Sequence, residues 1–392
     1  MPRLPLALVG SLALLACSDH AIQESVVIDT LPSGGLLVRN QGPTGWPDTS
    51  GWRLVLERTI VPSSGSETEF GDPRSITVDA SGMVHVFDAR PPRILSFPAG
   101  DAPPRVLARS GAGPGEVSNR GLLMTIGDTL AFQDQQLTRV QLWDPDGSLL
   151  GSWPSRCCIG LDVRADCLGR LPVPGMLFRP TPDEGPFSGL GYARFDLAGN
   201  LVDSIRLPAR RATGPTWEID GKAVPVPFGA SVRNVLTPDG LIVGGEQSSY
   251  ALFASRDGTD TVWALTAPTS RVPIPEAARR EAFDAIVGRA PFLEPIARLE
   301  DVPTAYPAWG ALQVDGTGHV WVQVPGTRGA QDHWDVFTPD GQLLGAVPTA
   351  FDADARAYWG RDLVHAIVED SVSGLPELRI YRIVRDVPGG RH

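Results

Sequence analysis

The side chains able to do chemistry are few and scattered along the 392 residues. Arg74, Arg120 and Arg233 each stand just before or inside a short apolar run, near the beginning of a separate unit. If those beginnings converge, several guanidinium groups would face one ligand, and their planar forks suit carboxylate or phosphate. The competing use is structural, with Arg74 and Arg120 tied to Glu69 and Glu116 of the connectors that precede them. Asp332-His333-Trp334-Asp335 sets an imidazole between two carboxylates, the residue types of acid-base or metal work, although a solvated loop has the same composition. Tyr306, Trp309, Trp334, Tyr358 and Trp359 lie near strand ends. Exposed together they would offer flat rings to a sugar or a peptide; turned inward they would fill a core. Ligand contact is therefore expected at Arg74, Arg120, Arg233, Trp309, His333 and Trp334, with no catalytic residue, metal ligand or cofactor assigned. Gly111-Ala-Gly-Pro-Gly115 lacks the Lys-Ser/Thr and the following helix of a phosphate cradle and reads as a linking loop.

The cysteines divide into two groups. Residues 1–16 carry Arg3 and then the apolar run Leu4–Ala16, a secretory signal pattern too short to span a bilayer. It ends in Leu14-Leu15-Ala16-Cys17, which resembles the lipobox of bacterial lipoproteins, where cleavage precedes a cysteine whose sulfur carries diacylglycerol. Residues 17–25 then form a lipidated tether, and two or three acyl chains give stable anchoring. Ser18 stands where an aspartate would signal inner-membrane retention in enteric bacteria, so the expected location is the cell envelope, at the outer membrane. Only about eight residues separate the lipid from the first strand, a reach of roughly 25 Å. Cys157, Cys158 and Cys167 remain. An oxidising compartment allows one disulfide from Cys167 to either of the vicinal pair and leaves a thiol over. A metal site is the alternative.

The composition points to many tight turns that must position these residues. Gly (43) and Pro (37) are abundant, yet short strand-like runs separate them. The net charge of -11 excludes a nucleic-acid-binding surface built on a clustered basic face. Lys222 is the only lysine, so the fixed side-chain cations are almost all arginine.

Internal repeats indicate the fold. Val86-Phe-Asp88, then Arg93-Ile-Leu-Ser-Phe97, matches Phe132-Gln-Asp134, then Arg139-Val-Gln-Leu-Trp143, with the same Asp-to-Arg spacing. Trp143-Asp-Pro-Asp-Gly147 and Phe337-Thr-Pro-Asp-Gly341 are hairpin turns, each followed by Leu-Leu-Gly after one further residue. Units of about four strands fall at 71–110, 120–155, 158–208, 229–270 and 307–348, with a partial one at 351–385. Val26–Ile28, Leu36–Val38 and Trp52–Leu56 lack partners and are expected to complete that last unit and close a ring, because an open ring exposes sheet edges. His85, His365 and Trp321 fall on corresponding strand positions and are read as packing residues. Pro275–Val287 carries a helical stripe of Ala282, Phe283, Ile286 and Val287, a helical insertion at about 275–288 expected to pack on the ring.

These Asp-x4-Arg pairs, Pro-Asp-Gly hairpins and the connectors Gly65–Phe70 and Gly111–Val117 resemble the six-bladed β-propellers of the NHL-repeat and TolB-like group, bacterial lipoproteins among them. The resemblance covers about residues 25–388 and implies an all-β six-bladed β-propeller over 26–388. It leaves two functional expectations. One is a membrane-anchored binding or scaffold module for a peptide, glycan or protein partner. The other is a metal-dependent hydrolase or lactonase of the gluconolactonase-like type, which places a Glu, two Asn and an Asp inward; Asn119 and Asn234 lie near strand starts, with no matching Glu evident.

Overall fold

The computed structural model describes residues 25–46, 51–100, 102–154, 171–176, 190–206, 214–219, 222–326, 332–352 and 356–385. Within them the chain is almost entirely β, arranged as successive antiparallel meanders. Sheet 1 comprises Pro73–Val78, Val84–Ala89, Pro92–Phe97 and Arg105–Arg109. Sheet 2 comprises Gly121–Ile126, Thr129–Asp134, Arg139–Trp143 and Leu149–Pro154. Sheet 3 has three described strands, Leu171–Met176, Leu190–Phe195 and Leu201–Arg206. Sheet 4 is built on Val232–Leu236, Ile242–Glu246, Ala251–Ser255 and Trp263–Thr266. Sheet 5 is Leu312–Val314, Val320–Val324, His333–Phe337 and Leu343–Pro348. Sheet 6 combines Arg356–Trp359, Leu363–Glu369 and Pro376–Val384 with the N-terminal Arg53–Ile60. The Pro-Asp-Gly turns do what their residues allow: Gly147 and Gly341 take φ of 91°, a conformation that a side chain makes costly.

The apolar clusters lie between sheets rather than within one. Phe87 and Ile94 of sheet 1 meet Leu123, Phe132 and Trp143 of sheet 2. Val140 and Met124 of sheet 2 carry Phe195 of sheet 3 against them, and Tyr192 of sheet 3 packs with Leu236 and Ile242 of sheet 4. Val243 and Trp263 of sheet 4 pack with Val322 and Phe337 of sheet 5. Trp321 and Trp334 of sheet 5 join Trp359 and Tyr381 of sheet 6. Ile367 and Leu378 of sheet 6 meet Val86 and Leu95 of sheet 1. Each sheet thus buries both faces on neighbours, which explains why middle strands such as Val84–Ala89 are buried at every position. The fold is propeller-like.

First strands of neighbouring sheets run in the same direction. Ser75 Oγ accepts the Leu123 amide at 3.0 Å, and Thr77 and Thr125 hydroxyls lie 3.1 Å apart, so sheets 1 and 2 ascend together. Gln247, beside the start of sheet 4, donates to the carbonyls of Trp309 and Gly310 ahead of sheet 5. At the other end Gly316 donates to the Gly360 carbonyl, aligning sheets 5 and 6.

The N-terminal segment corrects one expectation. Only Arg53–Ile60 joins the last sheet, pairing antiparallel with Leu378–Val384. The hairpin Val26–Thr30 and Leu36–Asn40 instead lies on the outer edge of sheet 4, with Leu36–Arg39 parallel to Trp263–Thr266. Val38 explains the choice, since it is fully buried in the cluster shared by sheets 4 and 5. Asn40 then fixes the crossing by donating to the carbonyls of Thr266 and Gly341 and accepting the Leu343 amide. Thr44 and Trp46 hydrogen-bond along sheet 5. The segment is a strap across the rims of sheets 4 and 5.

The helix spans Glu276–Arg289, one residue beyond the expected start and end. Its Phe283, Ile286 and Val287 are partly buried, but against Trp217, Val226, Leu293, Ala297 and Val302. That cluster is centred on a hairpin, Thr216–Ile219 with Lys222–Pro225, that periodicity did not reveal. The helix packs on this outlying hairpin, not directly on the main sheets.

Candidate binding face

Because the first strands ascend together, their starts gather at one end of the molecule, and the arginines must be located there. Arg74 is the second residue of its strand and forks onto Asp72 at 2.8 and 2.7 Å, not onto Glu69. Glu69 is occupied by Ser64 and the Gly65 amide, and Glu116 by the Gly113 amide. The competing pairing of Arg74 with Glu69 is thus replaced by a shorter-range one with Asp72. Arg90 approaches the same carboxylate at 3.4 Å. The Arg74 hydrogen bonds hold Asp72 below the usual carboxylate range against its desolvation, and the charges of Arg74, Arg90 and Arg356 add to the effect. Arg90 and Arg356 belong to this group although sequence reasoning missed them. Arg90 sits in a hairpin turn, and Arg356 opens the first strand of sheet 6 only four residues before its turn glycine, Gly360, against eight from Arg74 to Gly82, so neither shares the spacing of Arg74.

Arg120 and Arg233 are exposed and make no side-chain hydrogen bond or ion pair among the described residues. They are not register equivalents: the Arg120 carbonyl accepts the Gln135 amide just before its strand, whereas Arg233 pairs with Gly245 inside its own. The arginines share an end of the molecule, not a single ring position.

The second candidate lies at the same end, between sheets 4 and 5. His333 opens the third strand of sheet 5, with Nε2 3.3 Å from Asp335 Oδ1. Asp335 Oδ2 accepts a 2.7 Å hydrogen bond from Tyr250 of sheet 4. Burial, and then the Asp335 charge, keep that phenol protonated well above its usual range. A shallow pocket of about 260 Å³ opens beside the pair, walled by Val272, Val324, Pro268 and Pro325 with Thr269 and Ser270 hydroxyls. Asp332 faces elsewhere, accepting from Gln323 and the Gly326 amide. The Asp-His-Trp-Asp tetrapeptide thus splits: one acid orients the imidazole and the other closes a loop.

Trp309 and Trp334 correct the expectation of aromatic ligand contact. Both are fully buried, Trp309 donating Nε1 to the Ser249 carbonyl and Trp334 packed edge-on to Trp359. Tyr306 meets Phe228 edge-on instead. His85, in contrast, is a packing residue as its position suggested: it is buried between Ser96 and Asp79. Cys17, Cys157, Cys158 and Cys167 lie outside the described residues.

The metal donors of a lactonase-type site can be tested on orphaned atoms. Asn234 Oδ1 and Glu246 Oε1 are buried without a hydrogen-bond donor, on the same side of neighbouring strands. Asn119 is exposed. Two oxygens fall short of the six to eight that calcium takes, and among the described residues no three His, Cys, Asp or Glu side chains gather as ligands.

No family model matches the sequence, and no curated protein is similar to it. Among solved structures, similarity is found to a protein inferred to be exported, from Bacteroides fragilis, at 11% identity and a TM-score of 0.49, over 89% of this chain and 99% of that one. A member of the DUF4221 family from Bacteroides vulgatus is similar at 10% identity and 0.49, over 86% and 100%. Virginiamycin B lyase from Staphylococcus aureus is similar at 11% identity and 0.43, over 85% and 100%. Likeness at this level transfers no function, and the fold stands on its own sheets and registers.

Proposed function

We propose that the chain is an exported bacterial lipoprotein, anchored through Cys17, whose mature part is a closed six-bladed β-propeller of the NHL-repeat and TolB-like group. It serves as a binding or scaffold module for a peptide, glycan or protein partner at the cell envelope. Six successive apolar interfaces, the last joining sheet 6 back to sheet 1, support the blade count and closure. The observation that carries the binding role is the end at which the first strands begin. There Arg120 and Arg233 have no partner among the described residues, and Arg74 and Arg90 crowd one carboxylate in a chain of net charge -11. Such forks suit acidic groups on a partner.

Titration of the purified mature domain with polygalacturonate and with poly-L-glutamate tests this and separates glycan from peptide. An Arg90→Ala/Arg120→Ala variant should bind the preferred polymer at least about tenfold more weakly, since each lost charge-assisted contact contributes roughly 1 kcal/mol. Equal affinity in the variant, or no binding of either polymer, would remove the acidic-partner reading. For the anchor, Cys17→Ser should move the protein from the detergent phase to the aqueous phase on Triton X-114 partition. Persistence of lipid on the variant would overturn it.

A further inference from the structure

The pocket between sheets 4 and 5 has a polarity of its own. Val324 ends the second strand of sheet 5 opposite His333, which opens the third. His333 and Asp335 are two residues apart on that strand and project to one face, towards Tyr250 of sheet 4. Trp334 between them turns the other way, into the cluster with sheet 6. On the sheet 4 side, Pro268, Thr269 and Ser270 follow soon after the last strand, which ends at Thr266. None of these residues belongs to the arginine group.

The polar groups select among ligands. Both Asp335 oxygens are engaged inside the protein, Oδ2 by the Tyr250 hydroxyl at 2.7 Å and Oδ1 by His333 Nε2 at 3.3 Å. The carboxylate favours a proton on Nε2, so in the neutral ring Nδ1 is an acceptor, and it has no partner among the described residues. The Ser270 hydroxyl has none there either, and Thr269 reaches the Ala308 carbonyl only at 3.5 Å. No lysine or arginine lines the pocket; Arg271 stands between Ser270 and Val272 in sequence but is not part of the wall. Asp335 neutralises His333 whenever that ring is charged, so a carboxylate or phosphate meets no net positive charge here. An aliphatic side chain of a peptide would suit Pro268, Val272, Val324 and Pro325, yet would bury Nδ1 and the two hydroxyls unpaired. A ring with C–H faces and several hydroxyls satisfies both. The volume of about 260 Å³ lies just under the roughly 300 Å³ at which sites for drug-sized ligands begin, so the pocket takes one such ring.

We infer that this pocket holds one neutral pyranose ring of a glycan, with a ring hydroxyl donating to His333 Nδ1 and others exchanging hydrogen bonds with Ser270 and Thr269. This selects the glycan among the partners proposed above and rests on that reading. The pocket opens at the end where the first strands begin, so acidic groups elsewhere on the same glycan are left to the arginines.

Saturation-transfer NMR of the purified protein tests this, with the methyl pyranosides of glucose, galactose, mannose, N-acetylglucosamine, fucose and rhamnose each at millimolar concentration. At least one sugar is expected to receive saturation. His333→Phe keeps a flat ring but no acceptor, and should weaken that sugar about fivefold, the loss of one hydrogen bond. Ser270→Trp, a substitution at an exposed position, should fill the pocket and abolish the signal. No signal from any of the sugars, or an affinity that neither variant changes, overturns the pyranose site. Stronger binding of a glycyl-tyrosyl-glycine peptide, competing with the sugar, would assign the pocket to a peptide and overturn it as well. The polymer titration above keeps the two readings apart. Arginine-dependent polymer binding without sugar binding removes the pyranose site alone, whereas sugar binding without polymer binding removes the acidic partner and leaves the site standing. Binding of neither removes both.

Discussion

Asp88 and Arg93 show how a sequence spacing becomes a contact. The fully buried Asp88 carboxylate accepts the amides of Gly71, Asp72 and Arg90 and lies 3.0 Å from the Arg93 guanidinium. The second copy of the motif diverges. Asp134 caps Ser118 and Leu137, while Arg139 reaches the carbonyls of Ala112, Gly113 and Glu116. Both copies tie a connector to a sheet, which is why the spacing was legible and the partner was not. Arg74 was misassigned for the same reason, since a residue two positions away competes better than one five away once the strand begins. His365 gives a prediction at this scale. It is buried without a partner for Nδ1, and desolvation lowers its pKa from 6.5 to about 4. The neutral ring is the folded form, so its contribution is complete above pH 6.5 and is lost as pH falls towards 4. The loss is on the order of 3 kcal/mol. His365→Phe should flatten the acid limb of a urea-midpoint against pH curve in that window; an unchanged slope would mean that His365 is protonated at little cost.

Strands and turns were read more securely than their neighbours. The expected unit 120–155 contains sheet 2 at 121–154, and 307–348 contains sheet 5 at 312–348, because turn glycines and alternation are local signals. The strap was misplaced because edge pairing depends on which rim offers a buried slot, a property of the assembled sheets. Trp46 occupies such a slot. It stacks on Trp52 at 5.4 Å and donates Nε1 to the Ala346 carbonyl, and a Cβ on Gly345 would come within 2.2 Å of its ring. Gly345→Ala should therefore displace Trp46 and cost roughly 1–3 kcal/mol, as overpacking does. The readouts are the thermal midpoint and tryptophan fluorescence, and a midpoint within about a degree of the parent would show that the strap yields freely. The hairpin at 216–225 stayed hidden because it is short and interrupted by Pro and Gly, so it lacks a periodic run.

At the scale of the whole molecule, the N-terminal chain has two separable jobs. Residues 26–46 lie across the rims of sheets 4 and 5, and Arg53–Ile60 supplies the fourth strand of sheet 6. The first covers existing sheets; the second joins the two ends of the chain and removes an open edge next to sheet 1, where Ile60 also packs. A chain beginning at Gly51 keeps the second job and loses the first. It exposes the apolar ground under Val38 and Trp46, yet every main sheet retains its strands, so cooperative unfolding at a lower midpoint is expected. A chain beginning at Pro62 loses Trp52 and Arg53–Ile60 as well, leaving Leu378–Val384 as a bare edge and Tyr381 and Ile383 uncovered. That chain should lose its cooperative transition and self-associate. Calorimetry and size-exclusion chromatography of the two truncations decide the matter. If both unfold cooperatively as monomers, the ends of the chain do not need to be joined through sheet 6, and the closed-ring reading fails with them.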